Sequence, residues 1–149
     1  MHNNLTTSYL MSSDFAKQTA GLMHRKYIIN IGSMAYKSVL NASTAYCCSK
    51  AALMMLTRCC AWELAPKNFI CLQINPSSIT DTGMEEKDIM GLMRMQNMTQ
   101  EEATAYRSAG LRLDRQITKE DITVIIKDIL QGKADYLSGS STDFQGGMR

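Results

Sequence analysis

An α/β fold built on a parallel sheet of about three strands with flanking helices is what this sequence predicts, and three observations predict it. Helix-period segments alternate with short β-rich runs in the order α, β, α, β, α, α, β. The stretches between successive strands are long enough to serve as helical crossovers, which join strands in parallel and right-handed fashion and cover both faces of a sheet. The first β run, residues 26–33 ("KYIINIGS"), is nearly unbroken in apolar residues, the pattern of a strand buried on both faces.

Residues 4–22 carry Leu5, Tyr9, Leu10, Phe15, Ala16 and Ala20 at mostly helical spacing and close on Gly21 followed by basic residues, so a helix is expected there. The strand at 26–33 ends at Gly32, and "MAYKSVLNAST" reads as a loop from its Ser, Asn and Lys content. Residues 45–64 hold good helix formers (Ala51, Ala52, Leu53, Met54, Leu56, Leu64) and are stopped by Pro66. "NFICLQIN" is a second short strand ended by Pro76. Residues 84–109 suggest two short helices, the second opened by a capping box of Thr99 and Glu102. "TKEDITVIIKDIL" is an amphipathic helix that begins at Thr118 and Asp121 and stops near Gly132, before a last strand around residues 134–142, "ADYLSGSST".

A chain of 149 residues, 45% hydrophobic and 20% charged, suits one domain. Sixteen basic and 14 acidic side chains give a formal charge of +2 without a basic stripe, which argues against a nucleic-acid partner. The cysteines Cys47, Cys48, Cys59, Cys60 and Cys71 are odd in number and match no zinc spacing. They are expected as buried packing thiols of a reducing compartment, with no bound metal. No basic segment followed by an apolar core opens the chain, and no apolar run approaches the 18 or so residues that span a bilayer. A cytoplasmic protein without membrane insertion is the expectation.

Tyr46 and Lys50 in "YCCSK" lie one helical turn apart, a weak signal by itself. Ser33 follows the first strand directly, and "NPSSIT" follows the second. In open α/β sheets ligands bind beyond the carboxyl ends of the strands, where both segments emerge.

Taken jointly, these segments resemble the C-terminal part of a short-chain dehydrogenase/reductase, from about residue 2 to the last residue. "NNLTTSYL" is similar to the start of a family helix at Asn4, and "IINIGS" to a strand followed by the catalytic serine, here Ser33. "YCCSKAALMMLTRCCAWELAP" resembles the YxxSKAA helix, and Asn75, Pro76 and Ser77 resemble an NPG turn. "YLSGSSTDFQGG" is similar to the last strand and closing glycine pair, Gly146 and Gly147. The resemblance implies a partial Rossmann-like, doubly wound sheet and hydride exchange between NAD(P) and a small-molecule carbonyl or alcohol. It implies Asn4, Ser33, Tyr46 and Lys50 as the catalytic residues, with Tyr46 as general acid/base. Tyr46, Lys50, Pro76, Ser77 and Ile79 would contact the cofactor, with Lys50 holding its ribose and Asn4 positioning a water in a proton relay.

Physical chemistry supports those roles. A carbonyl that accepts hydride develops negative charge on oxygen and needs a proton donor within hydrogen-bond reach. A phenol ordinarily ionises near pH 10; an ammonium four residues along a helix, roughly 5–6 Å away between Cβ atoms, favours the phenolate. A serine hydroxyl aimed at the same oxygen stabilises the oxyanion, a contact worth about 3–4 kcal/mol elsewhere.

Blander readings stand beside these. Asn4 also suits a helix N-cap. Met84, Met90, Met93, Met95 and Met98 suit either an adaptable substrate lid or gap-filling in a core. No G-x-G-x-x-G turn occurs anywhere, so residues 1–149 read as a single truncated domain of this kind, with NAD(P) binding weakened or lost. The first strand would then be an exposed apolar edge. The two long helices resemble those through which the family dimerises, so a homo-oligomer or association with related chains is expected. Two functions follow: an NAD(P)-dependent oxidoreductase, or a non-catalytic remnant that binds full-length relatives.

Overall fold

A computed structural model describes residues 2–41, 43–109, 111–113 and 115–147. Strands β1 (Lys26–Ile31), β2 (Phe69–Pro76) and β3 (Ser141–Phe144) form one sheet in the order β1-β2-β3. All pairings are parallel: Lys26 through Ile31 lie opposite Phe69 through Ile74, and Gln73 through Pro76 opposite Ser141 through Phe144. The helices are α1 (Thr7–Gln18), α2 (Thr44–Leu64), α3 (Gly83–Gln96), α4 (Gln100–Ser108) and α5 (Lys119–Leu130).

Strand periodicity divides the core in two. On one face Phe69 and Cys71 pack with Ile28, Ala16 of α1 and Ala61 of α2. On the other, Leu72 and Ile74 pack with Ile117, Ile122 and Ile129, the last two from α5. The inner edge of α2 is a row at four-residue spacing, Ser49, Leu53, Thr57 and Ala61, all buried.

Several expectations hold closely. The long helix begins one residue early, at Thr44, and Thr99 with Glu102 forms the expected capping box. Thr118 caps α5 in the same way: its hydroxyl accepts the Asp121 amide at 3.2 Å, and Asp121 accepts the Thr118 amide at 2.9 Å. Thr118→Ala is expected to cost about 1 kcal/mol, lowering the thermal midpoint by roughly 2–4 °C in a calorimetric scan. An unchanged midpoint would show that the cap is dispensable.

Others are corrected. The first helix is shorter than residues 4–22: it enters through a π-helical turn, His2–Thr6, and ends at Gln18, where the Thr19 hydroxyl bonds back to the Phe15 carbonyl at 2.7 Å. Pro66 does not stop α2 abruptly; it sits inside a 3-10 turn, Ala65–Lys67, where no helical donor is required of it, and left-handed Asn68 (φ 63°) makes the break. The last strand lies later than residues 134–142. Asp135–Leu137 form a 3-10 turn, Gly139 takes φ 81° and donates its amide to the Cys71 carbonyl, and the paired register with β2 runs from Ser141. Of the cysteines, only Cys71 is buried; burial pushes its thiol up to about 12. Cys48 and Cys59 lie on the outer side of α2 and are exposed, and all five are free thiols. Among the described residues no helix is long and apolar enough to cross a membrane, and no cluster of three or more His, Cys, Asp or Glu could hold a metal ion.

Candidate functional site

Four of the predicted residues lie on α2 or in turns packed against it: Tyr46 and Lys50 on the helix, Ser33 at the carboxyl end of β1, and Asn4 in the π-helical turn. Ser33, in extended backbone, caps a 3-10 turn (Met34–Tyr36) by accepting the Ala35 amide at 3.2 Å. This turn packs on α2, and so does the π-helical turn that carries Asn4. Lys50 reaches back from the first turns of α2 to donate to the Ile31 carbonyl at 3.0 Å, two residues before Ser33. Its amine also stands 5.7 Å from the Tyr46 ring centroid. Partial burial lowers the Lys50 pKa from its ordinary value by penalising the charged form.

The backbone explains why that carbonyl is available. The amides of Lys26 and Gly32 both point toward β2, donating to Asn68 and Ile74. Strand alternation turns the groups of Tyr27, Ile29 and Ile31 to the opposite, open edge. Lys50 therefore satisfies the last outward carbonyl of an edge strand.

Asn4 does not cap a helix: Thr6 holds the N-cap position of α1, and Asn4 lies within the π turn. Its side-chain amide donates to Ser49 Oγ at 3.0 Å, and Ser49 donates to the Tyr46 carbonyl at 2.7 Å. Sequence reasoning passes over Ser49. Its one signal is membership of the buried row on α2, where a hydroxyl needs partners.

Pro76, the last residue of β2, is buried opposite Phe144, and the Ser77 amide donates to the Phe144 carbonyl at 2.9 Å. The Ser77 hydroxyl is buried without a hydrogen-bond partner among the described residues. Ile79 forms an isolated bridge with Ile117 and packs against the apolar cluster under α5. Met84, Met90 and Met95 on α3 are exposed, so they fill no core gap.

Behind the site runs a row of buried polar side chains that the sequence reading did not anticipate. Asn30 donates to Thr57 at 2.8 Å, and Thr57 donates to the Leu53 carbonyl with Gln73 Oε1 at 3.4 Å. Gln73 donates to Asn75 at 2.6 Å, and Asn75 donates to Ser141 and, at 3.0 Å, to Asp143. Thr57, Gln73 and Asn75 are wholly buried. The row is possible because Gly32 has no side chain: a Cβ there would stand 2.0 Å from Asn75 Oδ1 and 2.4 Å from Gln73 Nε2.

Comparison with known proteins identifies the family and the fold. Residues 1–90 match the sequence model of the short chain dehydrogenase family. A 2-(S)-hydroxypropyl-CoM dehydrogenase of Xanthobacter autotrophicus is 29% identical over 147 residues, 97% of this chain and 54% of that protein. Sorbitol-6-phosphate 2-dehydrogenase of Erwinia amylovora superimposes with a TM-score of 0.89 at 23% identity, covering 97% of this chain and 56% of that one. A 4-hydroxyisoleucine dehydrogenase solved with NADH gives a TM-score of 0.75 at 24% identity, covering 97% and 55%. The chain thus spans about half the length of these relatives. With the family match extending over more than half its residues, the chain belongs to the short-chain dehydrogenases.

Proposed function

We propose that this chain carries the proton-handling half of an NAD(P)-dependent carbonyl reductase or alcohol dehydrogenase. The observation that carries the reading is the Lys50 contact, which ties the turn of Tyr46 to the end of β1 beside Ser33. Ser33 holds the substrate oxygen by donating its hydroxyl, having already used its oxygen to accept the Ala35 amide. Tyr46 passes a proton to that oxygen during reduction and takes it back during oxidation. Lys50 supplies the positive charge beside the phenol ring, and Asn4 steadies the helix turn through Ser49.

The residues present suit the nicotinamide and ribose end of NAD(P). Ser77 offers an orphaned buried hydroxyl at the end of β2, which would bond a polar edge of the ring or its ribose, and Lys50 offers a second donor. When bound, NAD(P) supplies or accepts the hydride. Titrating the purified chain with NADH and with NADPH is expected to shift nucleotide fluorescence, and Lys50→Met to abolish the shift. A folded chain that leaves both spectra unchanged at millimolar nucleotide would refute the reading.

A second reading, association with a like or related chain through α1 and α2, draws support from the apolar side chains these helices expose. Tyr9, Leu10, Met11 and Met55 are more than half exposed, and Trp62 is 86% exposed. A chain that sediments as a monomer and fails to co-purify with any longer family member would remove it.

A further inference from the structure

We propose that Asp143 is a positioning residue, fastening the turn that carries Ser33 to the rigid interior of the sheet. The inference rests on the role given to Ser33 above.

Asp143 sits in β3 directly opposite Asn75, and its two carboxylate oxygens serve different parts of the molecule. Oδ1 accepts the Asn75 amide at 3.0 Å, and Asn75 is wholly buried and anchored in the polar row that runs back to Asn30. Oδ2 pairs with Lys37 Nζ and lies 3.5 Å from the Tyr36 hydroxyl. Tyr36 and Lys37 are the last residue of the Ser33 turn and the one that follows it.

The geometry makes this a strut with one fixed end. At the fixed end, Gln73 and Asn75 can neither reach water nor rotate without abandoning a buried partner. At the other, the turn has its middle seated by buried Ala35, while residues 37–41 are all exposed. The Lys37 and Tyr36 contacts therefore decide whether the exit of the turn, and the direction of Ser33 at its start, stays fixed. Burial works against ionisation of Asp143, but hydrogen bonds from Lys37 and Asn75 outweigh it and hold the carboxyl below its ordinary range. The strut is charged at neutral pH.

An exposed ion pair adds little to global stability. A strut of this kind should instead show itself as local order. Amide hydrogen exchange on the purified chain at neutral pH reads that order without cofactor or turnover, so its outcome is separable from that of the nucleotide titration. In Asp143→Asn and in Lys37→Met, the amides of Tyr36, Lys37 and Ser38, bonded within the turn, are expected to exchange about tenfold faster or more. The amides of Leu72 and Ile74 in β2 should keep their protection, and Lys37→Arg should restore that of the turn. Equal acceleration in β2, an unchanged turn, or no rescue by arginine overturns the proposal.

Discussion

Gly32→Ala is expected to destabilise the chain by about 3 kcal/mol or more. The added carbon would stand 2.0 Å from Asn75 Oδ1 and 2.4 Å from Gln73 Nε2, well inside contact distance. Both atoms belong to wholly buried side chains that hydrogen-bond each other at 2.6 Å, so neither can swing into solvent. The alternative, moving the Gly32 backbone, would break its amide bond to the Ile74 carbonyl at 2.7 Å and displace Ser33 next to it. Denaturant unfolding measures the cost directly. If the clash is the cause, Gly32→Ala should cost less in an Asn75→Ala background than alone, a coupling that a double-mutant cycle resolves. A Gly32→Ala variant within 0.5 kcal/mol of the wild type would mean that the polar row repacks freely.

Tyr46→Phe should have the largest effect on chemistry and almost none on folding. The phenol oxygen makes no hydrogen bond among the described residues, and the ring, which remains, supplies the contact with the Lys50 amine. Loss of a positioned proton donor typically lowers the rate 10²- to 10⁴-fold. Single-turnover oxidation of NAD(P)H with a small ketone or diketone is expected to slow by about that factor, with the thermal midpoint unchanged. Equal rates in the two proteins would remove Tyr46 from the mechanism. A parallel fall in melting temperature would assign it a packing role instead.

Much of this fold is legible in the sequence. β1, α2 and both capping boxes follow from local rules: an apolar run, a series of good helix formers, and a Thr followed three residues later by an acid. Tyr46 and Lys50 are legible because helical spacing fixes their relation. What escaped the sequence depends on contacts distant along the chain. Asn75 meets Ser141 and Asp143 at separations of 66 and 68 residues, and Asn4 meets Ser49 across 45. Composition marks such groups only as polar, so Asn4 also suits a cap and Asp143 attracts no notice. The position of β3 is not legible for a related reason: "ADYL" is no worse a strand former than "STDF", and its partner β2 decides which pairs.

The unequal faces of β2 bear on how the sheet finds its alignment. A shift of one residue would send Gln73 and Asn75 into the isoleucine layer beneath α5, and Ile74 toward Thr57. Two amides would then lose every partner, at a cost of about 1–3 kcal/mol for each unsatisfied group. Purely apolar strands tolerate sliding; here any slip by an odd number of residues carries this penalty, which favours the alignment that sets the Ile31 carbonyl within reach of Lys50.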